Sequence, residues 1–365
     1  GLSQGFRRES PQGDTVVKRS TLMAILICCT GLLATCASPD QRVNHAPVLQ
    51  GTIAPLDPDN ETDFINYTNL EEQFGPVPQV DRSYRIGIVL KFFGNQYWQL
   101  LAEGVQSKAN ELNVVVDIHA AATETDPEGQ RQVMEEMLKH DYDAFIISPQ
   151  TDDNLIDLVA QVQREEKVVL VVNEIVQDAR YWVGPNQYES GVRAATYLEA
   201  HLPENSKVAV IEGLPDAYAA RQRTRGFHDT LEGSSLRLVA SVPANWDAQQ
   251  ASEAAVDIIK AHPDIRGFYC NNDVMALGVI AALDDADRLD DILVIGTDGI
   301  APAYDAIRAG DLTATVDSFP TITGEIALEI VVRLLEGQPL PRVVYSPQNL
   351  VDAENVDQPA PPSTP

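Results

Sequence analysis

Apolar residues fall in short unbroken runs along most of the chain, each followed by a stretch with helical spacing. Five runs form a first series: YRIGIVLK, VVVDIH, DAFIISP, KVVLVV and YWVGPN. KVAVIEG, LRLVASVPA, IRGFYCNN, ILVIGTDG and LTATVDS form a second. Short runs that stay apolar on successive positions predict strands buried on both faces of a parallel sheet. The intervening segments, such as residues 96–112, predict the amphipathic helices that cover those faces. The fold class is therefore α/β, with two doubly wound parallel-sheet domains.

The ends of the chain read differently. Lys18 and Arg19 precede the apolar run TLMAILICCTGLLATCA, which is short for a bilayer span and suits the core of an export signal. It closes on Leu33-Ala34-Thr35-Cys36, which looks like a bacterial lipobox with Cys36 as the lipidated residue. Residues 1–36 are expected to be this signal segment, 37–82 a disordered Pro- and Asp-rich tether, and 353–365 a disordered tail. Cys28 and Cys29 lie inside the signal, so Cys270 is left alone and no internal disulfide is expected. It is read as a buried apolar residue.

In doubly wound sheets, ligands sit beyond the carboxyl ends of the strands. The first series presents Asn95, Tyr97 and Trp98 after its first strand, Ser148 after its third, and Asn173 and Glu174 after its fourth. The second presents Arg221 and Arg223, then Trp246, then Asn271, Asn272 and Asp273, then Asp298, and finally Asp317 and Ser318. Aromatic rings among amides, carboxylates and a guanidinium form the inventory of a carbohydrate site, with faces for C–H groups and fixed partners for hydroxyls. Simpler roles are assigned to four of the neighbours. Phe92 and Phe93 are read as packing residues, Arg221 as half of a helix-surface ion pair, and Asp273 as the cap of the following helix.

The segments GNQYWQLLAEG, AARQRTRGF, AHPDIRGFYCNNDVMALGVIAAL and VIGTDG resemble those of the type I periplasmic sugar-binding proteins, the ribose-binding group in particular, across residues 83–352. The resemblance implies two α/β lobes joined by three crossing segments near Asn186, Ser318 and Ser346, closing over a sugar. One lobe would hold residues 83–186 plus 319–346, the other 187–318 plus 347–352. It also implies that Asn95, Tyr97, Trp98, Arg223, Trp246, Asn272 and Asp298 contact the ligand, with Trp246 facing Tyr97 and Trp98 across the sugar ring. Departures from the ribose pattern occur at Ser148, Asn173-Glu174 and Ser318. They point away from ribose toward another pentose, a hexose, a cyclitol or a similar polyol, and leave room for an amino-bearing ligand.

The resemblance implies a monomeric receptor, exported to the periplasm or cell surface, that delivers its ligand to the membrane subunits of an ABC importer. A sensor role feeding a chemotaxis, quorum-sensing or kinase partner is the alternative. With 365 residues and a formal net charge of −28, the surface repels nucleic acid, and contact with a membrane is expected only through the lipid anchor. No His-Glu-x-x-His helix, Gly-x-Ser-x-Gly elbow or phosphate-cradling loop occurs, so no catalytic residue, cofactor or metal is expected. Glu174 and Asp298 are the one carboxylate pair that a glycoside-processing enzyme could use, and they are read instead as hydroxyl acceptors.

Overall fold

A computed structural model describes residues 54–361. The expected signal, Cys36, the tether as far as residue 53, and residues 362–365 lie outside the described part. In chain order the strands are β1 (Phe64–Asn66), β2 (Arg85–Phe92), β3 (Val115–Ala121), β4 (Ala144–Ile147), β5 (Val168–Val172), β6 (Tyr181–Gly184), β7 (Lys207–Glu212), β8 (Arg237–Pro243), β9 (Ile265–Cys270), β10 (Leu293–Asp298), β11 (Ala314–Asp317), β12 (Val343–Tyr345) and β13 (Asn349–Asp352). The α-helices are α1 (Leu70–Phe74), α2 (Gln96–Leu112), α3 (Pro127–Met137), α4 (Ile156–Arg164), α5 (Gln187–His201), α6 (Tyr218–Glu232), α7 (Ala248–Ala261), α8 (Asp273–Asp285), α9 (Ala301–Ala309) and α10 (Pro320–Leu335).

Each apolar run becomes a strand, and the strands sort into two sheets. The first has the order β1-β12-β6-β5-β4-β2-β3, the second β13-β11-β10-β9-β7-β8. All pairings are parallel except β13 on β11, which closes the second sheet with an antiparallel edge. Side chains such as Ile88, Ile146 and Leu170 in the first sheet, and Val210, Phe268 and Ile295 in the second, are fully buried. Burial on both faces explains why these strands show no polar alternation.

Short polar residues at strand ends start the helices. Asn95 caps α2, Asp126 α3, Asn186 α5, Asp247 α7 and Asn272 α8, each accepting a backbone N–H from the first turn. The cap of α8 differs from the sequence expectation. Asn272 accepts from Met275 N at 2.9 Å, whereas Asp273 turns inward, where Oδ2 accepts from Gly299 N and Ile300 N and Oδ1 from Thr315. Asp273 thus holds the β10–α9 loop rather than ending its own helix.

The chain passes between the lobes three times, at residues 184–187, 317–320 and 345–349. These crossings are tied to one another. Ser190 donates to Gln348, Gln348 to the Asn186 carbonyl, and Thr323 to Ser346 and to the Ser318 carbonyl. Such side-by-side crossings permit rotation about one axis while resisting twist.

Both terminal expectations need correction within the described range. Residues 54–74 do not form a structureless tether. Leu56, Ile65 and Leu70 are buried, and β1 adds an edge strand parallel to β12. Three buried apolar anchors suffice to fix a segment that has no sustained period. Residues 353–361 also lie against the second lobe: Val356 is buried and Asp357 pairs with Arg308.

Helices α2 and α10 approach closely at Gly104, where a Cβ would lie 1.9 Å from the Thr321 carbonyl oxygen. Gly104→Ala must push two helix backbones apart. It is expected to cost about 1–3 kcal/mol in urea denaturation, and an unchanged midpoint would contradict this packing.

Candidate functional site

The carboxyl ends of both sheets face one another across a narrow cleft with a cavity volume of about 20 Å³. Its walls include Lys91, Asn95, Tyr97, Trp98, Glu124, Asn173 and Glu174 from the first lobe. Ala219, Arg223, Trp246, Asn272 and Asp298 come from the second. A roomier groove under Arg82, Asp143 and Lys167 lies at the amino ends of the first sheet, opposite to where such folds place ligands.

Nine of the eleven expected ligand residues meet in this cleft; Ser148 and Ser318 do not line it. Ser148 donates its hydroxyl to the Val172 carbonyl at 2.8 Å, which ties β4 to β5. Ser318 is buried at the second crossing, where no partner for its hydroxyl is found among the described residues. In both cases a small side chain at a strand end is consumed by packing before it reaches the cleft. Arg221 pairs with Asp152 of the opposite lobe rather than along its own helix. Phe93, expected to pack, is largely at the surface, while Phe92 covers Gly94.

Beside Ala219, which offers only its backbone, two charged lining residues were missed. Lys91, next to last in β2, is fully buried, its Nζ 2.5 Å from Glu174 Oε1. A lysine inside the apolar run VLKFF was the available signal, since a charge there needs a buried partner. Glu124 lies in the loop after β3, a strand end from which no candidate had been taken. Its carboxylate accepts from Trp98 Nε1 at 2.8 Å and from Asn95 Nδ2 at 3.3 Å, fixing the indole and the amide in place.

The rings are set by this network. Tyr97 and Trp98 meet edge to face at 5.0 Å, and Asn173 donates to the Tyr97 hydroxyl at 2.6 Å. From the second lobe, Asn245 and Trp246 both adopt positive φ, 52° and 65°, an unusual conformation for a bulky ring. That turn lays the indole over Gly213, where a Cβ would come within 2.2 Å of it. The Lys91 ammonium lies 5.6 Å from the Trp98 ring centre and 5.4 Å from that of Trp246, so the two indoles flank one cation.

Arg223 is held rather than free. Its Nε donates to Gln187, and one terminal nitrogen donates to the Asn271 carbonyl at 2.6 Å and lies 3.4 Å from Asp298. Burial pushes the Asp298 carboxyl well above its ordinary range, with Arg223 opposing and Asp273 and Glu124 reinforcing the shift. Glu124 is raised by burial as well, against the pull of Lys91. Trp246 Nε1 and Asn173 Oδ1 have no hydrogen-bond partner among the described residues. Two side chains that line the cleft thus keep a donor and an acceptor unpaired. Such a site can orient a compact molecule carrying several hydroxyls.

The periplasmic binding protein domain matches residues 86–339. This chain belongs to the periplasmic binding protein family. The D-allose-binding periplasmic protein of Escherichia coli K12 is 30% identical over 256 residues, spanning 67% of this chain and 82% of that relative. The ribose import binding protein of Bacillus subtilis is 28% identical over 272 residues, or 74% and 87% of the two chains. The fold is shared with an Actinobacillus succinogenes solute-binding protein solved with D-allose. The TM-score is 0.72 at 24% identity, covering 76% of this chain and all of that one. These relatives of the family are solute receptors rather than enzymes.

Asp317, beside Ser318, makes the crossing sensitive to pH. It accepts from Phe319 N and Tyr304 Oη, and burial raises its carboxyl from 3.8 to about 7. Folding therefore takes up a proton at this group. The associated stability is full below 3.8 and is lost as the pH rises through about 7. Urea midpoints measured from about pH 4 to pH 7 should fall more steeply for the wild type than for Asp317→Asn. Parallel slopes would contradict the assignment.

Proposed function

We propose that the protein is the extracytoplasmic receptor of an ABC importer and binds a monosaccharide or related cyclic polyol between its lobes. The observation that carries this reading is the pair of indoles, one from each lobe, facing a shared cleft. The same cleft is lined by Lys91 and Arg223, which carry donors, and by Glu124 and Asp298, which carry acceptors. Aromatic faces meet the C–H surface of a sugar ring, and fixed polar groups read its hydroxyls. The names of the D-allose and ribose relatives point to the same ligand class.

Binding proceeds without chemistry on the ligand. In the open form Glu174, Lys91 and both indoles are hydrated. Bringing the lobes together expels that water and strengthens each hydrogen bond to the sugar. The closed face formed by both lobes is then the surface offered to the importer's membrane subunits. Export with lipidation at Cys36, and a monomeric state, complete the proposal.

A thermal-shift screen against D-allose, D-ribose, other pentoses and hexoses, myo-inositol and amino sugars tests it. A molecule that binds only the native form raises the melting temperature by mass action. At least one neutral sugar or cyclitol is expected to do so, and silence across the panel would contradict the reading. For whichever compound binds, Trp246→Ala should weaken affinity about five- to two-hundred-fold with the fold retained. Arg223→Ala should do so at least as strongly, because ligand oxygens lose a buried donor. Unchanged titrations would remove these residues from the site.

A further inference from the structure

The segment preceding the first lobe reaches across to the second. Residues 54–61 are fastened to the first lobe: Leu56 N donates to the Gln177 carbonyl at 2.8 Å, its side chain is buried, and Arg342 holds Glu61. Tyr345 donates to the Pro58 carbonyl at 2.5 Å. So anchored, the segment presents Asp59, whose side chain is only 9% exposed, to helix α6 of the other lobe. Arg225 lies 3.7 Å from Asp59 Oδ2 and is backed by the Tyr188 ring.

Tyr218, at the start of the same helix, is buried in a cluster otherwise built by the first lobe, with Leu56, Val89 and Trp182. Its packed ring carries the start of α6 into that cluster, while neither Tyr218 Oη nor Asp59 Oδ2 completes a hydrogen bond among the described residues. The adjacent backbone also spans the lobes: Ala219 N donates to Glu174 at 2.9 Å and Asp152 N to the Asp216 carbonyl at 3.1 Å.

We propose that Asp59, Tyr218 and Arg225 form a latch outside the ligand cleft that sets affinity by stabilising the closed form. None of the three lines the cleft. The latch residues meet only when the lobes are together, so their contribution enters the closed state alone. In the open state Asp59 and Arg225 are solvated, and removing them leaves the ligand-free fold intact. A contact that favours only the binding-competent state changes apparent affinity through its population. This proposal rests on the closure reading above, and its test separates the two.

Two variants are compared with the wild type, Asp59→Ala and Arg225→Ala, each of which removes one half of the interlobe ion pair. D-allose release is followed by the fluorescence of the cleft tryptophans. Hydrogen exchange of the interlobe amides of Asp152 and Ala301 is followed without sugar; Ala301 N donates to Gln96 across the lobes. Release is expected to quicken about two- to five-fold in both variants, and the two amides to exchange faster, with the ligand-free melting temperature unmoved. Wild-type release and exchange in both variants would overturn the latch. If the wild type binds neither D-allose nor any panel sugar, the sugar reading fails. The latch then stands or falls on the ligand-free exchange alone.

Discussion

The buried pair of Lys91 and Glu174 is the constraint on which the site is organised. Two charges removed from water are costly unless every donor and acceptor around them is used. Glu174 meets that requirement with Lys91 on one oxygen and Ala219 N, from the opposite lobe, on the other. Lys91 adds the faces of Trp98 and Trp246, one from each lobe. The pair is therefore fully served only when the lobes are closed. If the lobes part, water takes the place of those partners, and a ligand bound between the lobes shifts the balance toward the closed form.

Around this pair the fold supplies rigidity where it is needed. Glu124 fixes Trp98 and Asn95, Gln187 and the Asn271 carbonyl fix Arg223, and the Asn245–Trp246 turn over Gly213 fixes the second indole. Each side chain that faces the cleft is held by a neighbour behind it. Preorganisation of this kind reduces what must be ordered when a ligand arrives. The crossings are linked to one another through Gln348, Thr323 and Ser346.

Most of the fold was legible because doubly buried strands leave an unmistakable record of short apolar runs. The cleft was legible because such sheets gather their chemistry at one end. Lys91 escaped notice because it is embedded in β2 and its role depends on Glu174, 83 positions away. Glu124 sits in a loop whose importance comes from the indole it orients, a relation that spacing does not reveal. Ser148 and Ser318 misled because position at a strand end does not say whether a short hydroxyl reaches past its own backbone. Residues 54–74 were misread because three anchors, Leu56, Ile65 and Leu70, are too sparse to form a period. Their order comes from an edge strand and a buried surface contributed by distant parts of the chain.

Small-angle scattering with and without saturating sugar tests the central claim most directly, using D-allose or whichever compound raises the melting temperature. The account predicts that the radius of gyration falls on binding, to the value calculated from the closed form described here. A sugar that binds tightly while the radius stays unchanged would contradict closure as the means by which this protein holds its ligand.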